Sequence, residues 1–168
     1  GVNQWSGEGG PASAARAWLV TDMVFGPDGS LFFSDQSNFE QTLIRRIDPA
    51  GIVHHLGGGG SDLVGHGIDG SLAFLERVSS LNVARDGTLV FMRRRRVPGD
   101  PFHEQVISKL GPDGILWTIG GAARTLGNDP QVFVSEGAPL GAAILFGNQM
   151  VLSDDQRMFM VHGSDVYT

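Results

Sequence analysis

The segment Phe-Gly-Pro-Asp-Gly-Ser-Leu-Phe-Phe at positions 25–33 decides the fold of this chain. Its Asp-Gly pair lies between two apolar runs, which is a strong hairpin signal because the turn needs residues that tolerate positive φ. The segment Val-Ala-Arg-Asp-Gly-Thr-Leu-Val-Phe at positions 83–91 repeats this pattern 58 residues later. A hairpin that recurs at such a distance predicts a chain of repeated β-units.

The predicted unit extends from this hairpin to four short antiparallel strands and a glycine-rich connector. In the first unit the strands are predicted at residues 21–25, 30–34, 42–47 and 52–56. The connector at 8–12 matches 69–73 at an offset of 61, whereas the turn at Gly51 matches Gly114 at an offset of 63. The growth of the offset from 58 to 63 predicts an insertion in the second unit, at residues 93–104.

Three units are predicted within one repeat domain, at approximately residues 7–60, 65–121 and 136–168. In the first two units the second strand is apolar at three consecutive positions, 31–33 and 89–91, so both of its faces need apolar cover. Neighbouring units supply that cover when their sheets stack. The expected fold is therefore all-β, with β-propeller blades of four antiparallel strands. Because propellers close with about four to eight blades, roughly two and a half blades predict an incomplete propeller.

The composition limits the classes of function. The chain has 25 glycines in 168 residues, a density that suits many tight turns. Its formal net charge of −6 argues against nucleic-acid and acidic-membrane partners. It contains no cysteine, which excludes disulfides and cysteine-ligated metals within this chain. No apolar run reaches the ~20 residues that cross a bilayer as a helix, so no membrane insertion is predicted.

Three stretches carry a family resemblance: Gly-Glu-Gly-Gly-Pro-Ala at 7–12, Pro-Asp-Gly-Ser-Leu-Phe-Phe-Ser-Asp at 27–35, and Ile-Arg-Arg-Ile-Asp at 44–48. Together they resemble the NHL repeat of β-propellers, in the long-repeat form of bacterial secreted proteins and of teneurin-like and Rhs/YD-repeat proteins. The second unit departs from this pattern at 92–101, where arginines replace the Ser-Asp segment. The resemblance implies a segment of a larger protein that is extracellular or at the cell surface.

The sharpest charge feature is the run Arg93, Arg94, Arg95 and Arg96. Four guanidinium groups can bind phosphate or a carboxylate-rich partner. If the run is a strand, alternate arginines face opposite sides, and if it is a loop, it is a solvated hairpin tip. Some NHL propellers bind RNA, but the acidic balance and the lack of interleaved aromatic residues disfavour that here. A solvated loop is therefore the favoured interpretation, and partner binding by the run is kept as the candidate site.

The remaining motifs receive structural interpretations. Residues 65–70 match GxGxxG, but the strand and long helix of a dinucleotide site are missing, so an inter-unit connector is predicted. The glycine run at 57–60 aligns with Gly120 and Gly121 and is predicted to be a native turn. The histidines have no metal-ligand spacing, and no metal, cofactor or catalytic residue is predicted. Four aspartates are expected to cap turns through their own side chains: Asp28, Asp48, Asp86 and Asp113.

The leading functional hypothesis is a non-catalytic β-propeller binding or scaffold module that presents loops to a protein or glycan partner. Two alternatives remain open. One is a structural subunit that self-associates through open blade edges into a ring or filament. The other is an NHL-type propeller enzyme, a lyase or hydrolase, with a metal in its channel.

Overall fold

The computed structural model describes residues 5–36, 41–96, 103–121, 149–153, 157–162 and 165–167. In these residues the regular structure consists of twelve β-strands and two 3₁₀ turns, which confirms the all-β prediction. Within these ranges, no helix has the length and apolarity that a bilayer crossing requires. The strands form three antiparallel sheets of four, five and three strands.

Sheet 1 is an antiparallel meander whose strands follow one another in chain order. Its strands are β1 (Val20–Phe25), β2 (Leu31–Gln36), β3 (Thr42–Ile47) and β4 (Val53–Gly57). The Pro-Asp-Gly turn joins β1 to β2 and places Phe25 opposite Leu31. All four predicted strands are present, with bounds that differ from the prediction by at most two residues.

Sheet 2 repeats this order and adds a short strand at the outer edge. Its strands are β5 (Ile68–Asp69), β6 (Glu76–Val83), β7 (Leu89–Arg96), β8 (His103–Leu110) and β9 (Ile115–Gly120), in the order β5-β9-β8-β7-β6. In sheet 1 the β2–β3 ladder ends at Gln36 opposite Thr42, and its equivalent in sheet 2 is Arg94 opposite Gln105. The β7–β8 ladder continues two pairs further, so the predicted insertion is confirmed at this hairpin.

The connectors close the outer edge of both sheets. Ala12 N donates to Gly51 O at 2.8 Å, and Gly70 N donates to Gly114 O at 2.8 Å. These two donors lie 58 residues apart, so the connector offset of 61 is wrong. The hydrogen bonds that each connector makes to the last strand of its sheet define which connector residues are equivalent. The sequence match aligned glycines instead, and these occupy different places in the two connectors. The GxGxxG segment at 65–70 runs into β5 and the second 3₁₀ turn, which confirms its connector role.

Sheet 3 follows and packs on sheet 2. Its strands are β10 (Gln149–Leu152), β11 (Met158–His162) and β12 (Asp165–Tyr167). It occupies the end of the predicted third unit, whose predicted start near Glu136 lies outside the described residues. The backbone of β10 bonds to sheet 2, since Leu152 N donates to Asn82 Oδ1 at 3.1 Å. The three sheets are therefore stacked in chain order.

Two apolar layers hold the stack together. The layer between sheets 1 and 2 contains Phe32, Ile44, Ala73, Leu75, Val78, Leu81, Leu89, Phe91, Leu110 and Leu116. The layer between sheets 2 and 3 contains Val90, Met92, Ile107 and Met150. Val90 and Phe91 are adjacent in β7 yet belong to different layers, because successive side chains of a strand face opposite sides. Sheet 2 is thus covered on both faces, as its consecutive apolar residues predict.

Two glycines at equivalent positions let the outer strands return close to the third strands. Gly58 and Gly121 have φ values of +85° and +93°. A Cβ atom would lie 2.2 Å from Thr42 O at Gly58 and 2.5 Å from Gln105 O at Gly121. Both the backbone conformation and the space therefore require glycine. The close approach therefore recurs at equivalent positions of both sheets, and the glycine run at 57–60 as a native turn stays a prediction.

Replacing Gly58 with Ala is expected to lower the free energy of unfolding by about 1–3 kcal/mol, because it adds both backbone strain and a clash with a carbonyl oxygen. Gly51→Ala is the matched control, since Gly51 also has a positive φ of +80° but an open space around its Cβ direction. Urea unfolding of the two variants measures the difference. Equal losses at the two positions would show that the close approach to β3 does not matter.

The turn aspartates act as predicted. Each carboxylate accepts a backbone N–H two residues ahead: Asp28 from Ser30, Asp48 from Ala50, Asp86 from Thr88 and Asp113 from Ile115. The accepted N–H groups hold the pKa of Asp28 and Asp86 below 3.8, and for Asp48 the hydrogen bond from His54 is the larger cause of a lowered pKa. A lowered native pKa stabilises the fold above pH 3.8, and this contribution is lost as the pH falls through the lowered value.

Candidate functional site

The candidate arginine run lies on a strand and not in a loop. It forms the last four residues of β7. Arg93 and Arg94 occupy the positions of Asp35 and Gln36, and Arg95 and Arg96 extend beyond the ladder of sheet 1. The strand continues because β8 pairs with it as far as Arg96 opposite His103. Alternate side chains of a strand face opposite sides, so the four guanidinium groups do not share one surface.

Arg93 is buried inside sheet 2, with its guanidinium bonded to the connector. Its Nε donates to Ser108 Oγ at 2.9 Å. Its Nη2 donates to the carbonyls of Val64 at 3.0 Å and Gly65 at 3.1 Å, and to Thr118 Oγ1 at 3.2 Å. The predicted partner-binding role therefore cannot extend to Arg93 in this fold, because its side chain faces the interior and serves internal acceptors.

The other three arginines lie at the outer end of β7. Arg94 is exposed, and Arg95 and Arg96 are half-buried. Arg96 Nε donates to Glu76 Oε2 at 3.3 Å, and its guanidinium lies 5.8 Å from the centre of the Phe74 ring. Arg94 thus presents a positive charge at the surface, whereas the guanidinium of Arg96 is held by contacts within sheet 2. Partner binding by these three residues stays a prediction.

Sheet 1 contains a second buried guanidinium, on a different strand. Arg45 on β3 donates from Nη1 to Asp35 Oδ2 at 3.1 Å and to Arg16 O at 2.8 Å. Its Nη2 donates to Ser6 O at 3.0 Å, and its Nε donates to Glu8 Oε1 at 2.8 Å. The side chain therefore joins the third strand, the second strand and both ends of the first connector.

The two buried arginines occupy different positions of the repeat. Asp35 and Arg45 of sheet 1 are equivalent to Arg93 and Ser108 of sheet 2, at the offsets of 58 and 63. In both sheets one guanidinium bonds to connector carbonyls, but it comes from β3 in one and from β7 in the other. This binding of the connector by a buried guanidinium was not predicted from the sequence. A sequence signal that could have revealed this contact is a charged residue at the same position of two mostly apolar strands, as at Asp35 and Arg93.

The histidines and tryptophans make local contacts. His54 Nε2 lies 2.7 Å from Asp48 Oδ2 at the turn before β4. The ring of His66 meets Trp117 edge-on, with 5.1 Å between centroids. In the part of the chain that the structure describes, no three His, Cys, Asp or Glu side chains gather into a possible metal site.

A cleft of about 350 Å³ opens between sheets 1 and 2, at the end opposite the arginine hairpin. The turns of both sheets line it, and its charged residues are Asp28, Arg46, Arg85 and Asp86. Positive and negative groups are equal in number there. The cleft therefore has no clear electrostatic preference for an anion or a cation, unlike the arginine end of β7.

Neither the protein-family models nor the curated proteins contain a match to this chain. The residues and the three stacked sheets are therefore the basis on which a function can be proposed.

Proposed function

We propose that this chain is a non-catalytic scaffold module of NHL-like β-propeller blades, whose arginine hairpin binds a carboxylate-rich surface of a partner protein. The observation that carries the proposal is the outer end of β7, where Arg94 is exposed and Arg95 and Arg96 are half-buried beside it. Sheets of four and five antiparallel strands are compatible with such blades. The resemblance to secreted propeller proteins supports an extracellular or cell-surface location.

The hairpin suits binding because its strand is fixed by Arg93 while the side chain of Arg94 is exposed beside the half-buried Arg95 and Arg96. Arg93 bonds the base of the strand to the connector of sheet 2. The next residues then project from a paired ladder and not from a free loop. A guanidinium binds a carboxylate with two parallel hydrogen bonds, so fixed arginines favour acidic side chains. The chain as a whole has a formal net charge of −6, so the arginine hairpin is a positive region on an otherwise acidic protein.

The test measures binding of a poly-glutamate peptide to the chain and to the variant Arg94→Ser/Arg95→Ser. This variant leaves in place Arg93, which is buried and bonds to Ser108, and Arg96, whose Nε donates to Glu76. The control is Arg16→Ser/Arg85→Ser, which removes the same charge from two other exposed positions. Two surface ion pairs of about 0.7 kcal/mol each predict about tenfold weaker binding at low salt for the hairpin variant.

The expected loss is confined to the hairpin variant and shrinks as salt is added, because surface charges are screened. A sulfated oligosaccharide, measured in parallel, distinguishes the acidic-protein proposal from a glycan partner. Tighter binding of the sulfated sugar than of the peptide would reassign the site to glycans. Equal peptide binding by the wild type and both variants, at low and high salt, contradicts the proposal.

A further inference from the structure

At the junction between sheets 1 and 2, one face of sheet 1 packs against one face of sheet 2. Sheet 1 contributes residues such as Val24 and Phe32, and sheet 2 contributes residues such as Leu81 and Leu89. A polar contact accompanies them, since Leu81 N donates to Asp22 Oδ2 at 2.7 Å. We use the term leading face for the face of a sheet that meets the preceding sheet, and trailing face for the opposite one.

The junction between sheets 2 and 3 uses the same repeat positions. Met150 is equivalent to Leu81, and its backbone N–H donates to Ser80 Oγ at 3.0 Å. Ser80 is in turn equivalent to Asp22 at the offset of 58. The leading face of sheet 3 thus contacts the trailing face of sheet 2 as sheet 2 contacts sheet 1. One mode of stacking therefore occurs twice within the chain.

The leading face of sheet 1 has the equivalent positions, of which Met23 and Phe25 are uncovered in the described residues, whereas Phe33 and Val53 are buried. At the three equivalent positions, Met23 is 60% exposed, Leu81 is 5% exposed and Met150 is 3% exposed. Phe25, equivalent to the partly buried Val83, is also exposed. An apolar groove of about 200 Å³ lies on this face, lined by residues that include Leu31, Phe33, Ile47 and Val53. Those four are equivalent to Leu89, Phe91, Leu110 and Leu116, which sheet 1 covers in sheet 2.

The complementary trailing face is present on sheet 3. Val151, equivalent to Val24 of sheet 1, is 57% exposed. Phe159, equivalent to Phe32, lies beside it on the neighbouring strand, where the two are paired. Gln149 is exposed and occupies the position of Asp22 and Ser80, the residues that accept an N–H at the two existing junctions. The chain therefore carries both halves of a third junction, at opposite ends of its stack.

We propose that the leading face of sheet 1 binds the trailing face of sheet 3 of a second copy of this chain. The contact is head to tail, so it repeats from copy to copy and forms a ring if the rotation closes or a filament if it does not. It shares the stacked-sheet architecture with the proposed scaffold function but uses neither the arginine hairpin nor the acidic partner. Peptide binding that does not depend on the arginine hairpin would contradict the proposed function but would leave this inference intact.

The test is the solution mass of the full 168-residue chain by light scattering over a range of concentrations. The wild type is expected to form dimers and larger species as the concentration rises. Met23→Asp and Val151→Asp should each weaken this association by about tenfold or more, because each places a charge in the apolar contact. Leu72→Asp is the matched control, since Leu72 is 59% exposed but lies on the 3₁₀ turn of the connector.

Mixing the two variants distinguishes head-to-tail contact from any symmetric one. Met23→Asp keeps an intact trailing face and Val151→Asp keeps an intact leading face, so an equimolar mixture should recover a dimer without larger species. A mixture that stays as weakly associated as its components overturns the proposal. A wild-type chain that remains monomeric at every concentration also overturns it. Circular dichroism of each variant verifies that the sheets are retained.

Discussion

Replacing Arg45 with Ala is expected to lower the free energy of unfolding by about 3–5 kcal/mol, one of the two largest losses from a single substitution in the described sheets. The guanidinium is buried, and it donates to the Asp35 carboxylate and to the carbonyls of Ser6 and Arg16. Without it, the fully buried carboxyl group of Asp35 loses its countercharge. Urea unfolding measures the loss, and an unchanged dependence on urea concentration would show that the native surface is otherwise retained.

The control for Arg45 is its neighbour on the same strand. Arg46→Ala removes the same charge on the opposite face, where the side chain is half-buried, and should cost no more than about 1 kcal/mol. Asp35→Asn tests the electrostatic part, because it keeps the shape of the side chain while removing its charge. If Arg45→Ala costs as little as Arg46→Ala, the buried network does not hold the connector to sheet 1.

The parts of the fold that could be predicted are those whose cause is local. The Pro-Asp-Gly turn at residues 27–29 specifies a hairpin by its own backbone preferences, and strand β3 was predicted with its observed bounds, Thr42–Ile47. The insertion in the second unit followed from counting residues between matched turns. Stacking followed from strands that are apolar on both faces, because such strands need two neighbours.

The parts that could not be predicted depend on contacts between residues far apart in the sequence. Arg45 is buried because connector residues 29 and 39 positions earlier fold over it, and nothing near Arg45 in the sequence indicates this. The connectors were matched by their glycines, whereas hydrogen bonds to β4 and β9 determine their true equivalence. The arginine run could not be assigned to a strand or a loop until β8 was seen to pair with it.

Arg93→Ser is expected to destabilise the chain by about 2–3 kcal/mol, whereas Arg94→Ser should change stability by no more than about 0.5 kcal/mol. The two residues are adjacent and carry the same charge, so burial is the main difference between them. Serine at position 93 loses the bonds to Ser108 and Thr118 and leaves the carbonyl of Gly65 without its donor. Thermal unfolding of the two variants measures the contrast. Substituting all four arginines together would therefore confuse loss of folding with loss of partner binding.

A pH series isolates the buried charge of Arg93 from its packing. Burial, reinforced by the positive charge of Arg95, lowers the pKa of Arg93 to about 10, well below its value in the unfolded chain, although Asp62 opposes the shift. Between these values the unfolded chain keeps a proton that the native chain has released, so stability from this group rises with pH. Arg93→Met has no titrating group there. The stability difference between wild type and Arg93→Met should therefore shift in favour of the wild type between pH 9 and pH 11. A difference that stays constant would mean that the guanidinium keeps its proton in the fold, with its internal hydrogen bonds offsetting the cost of burial.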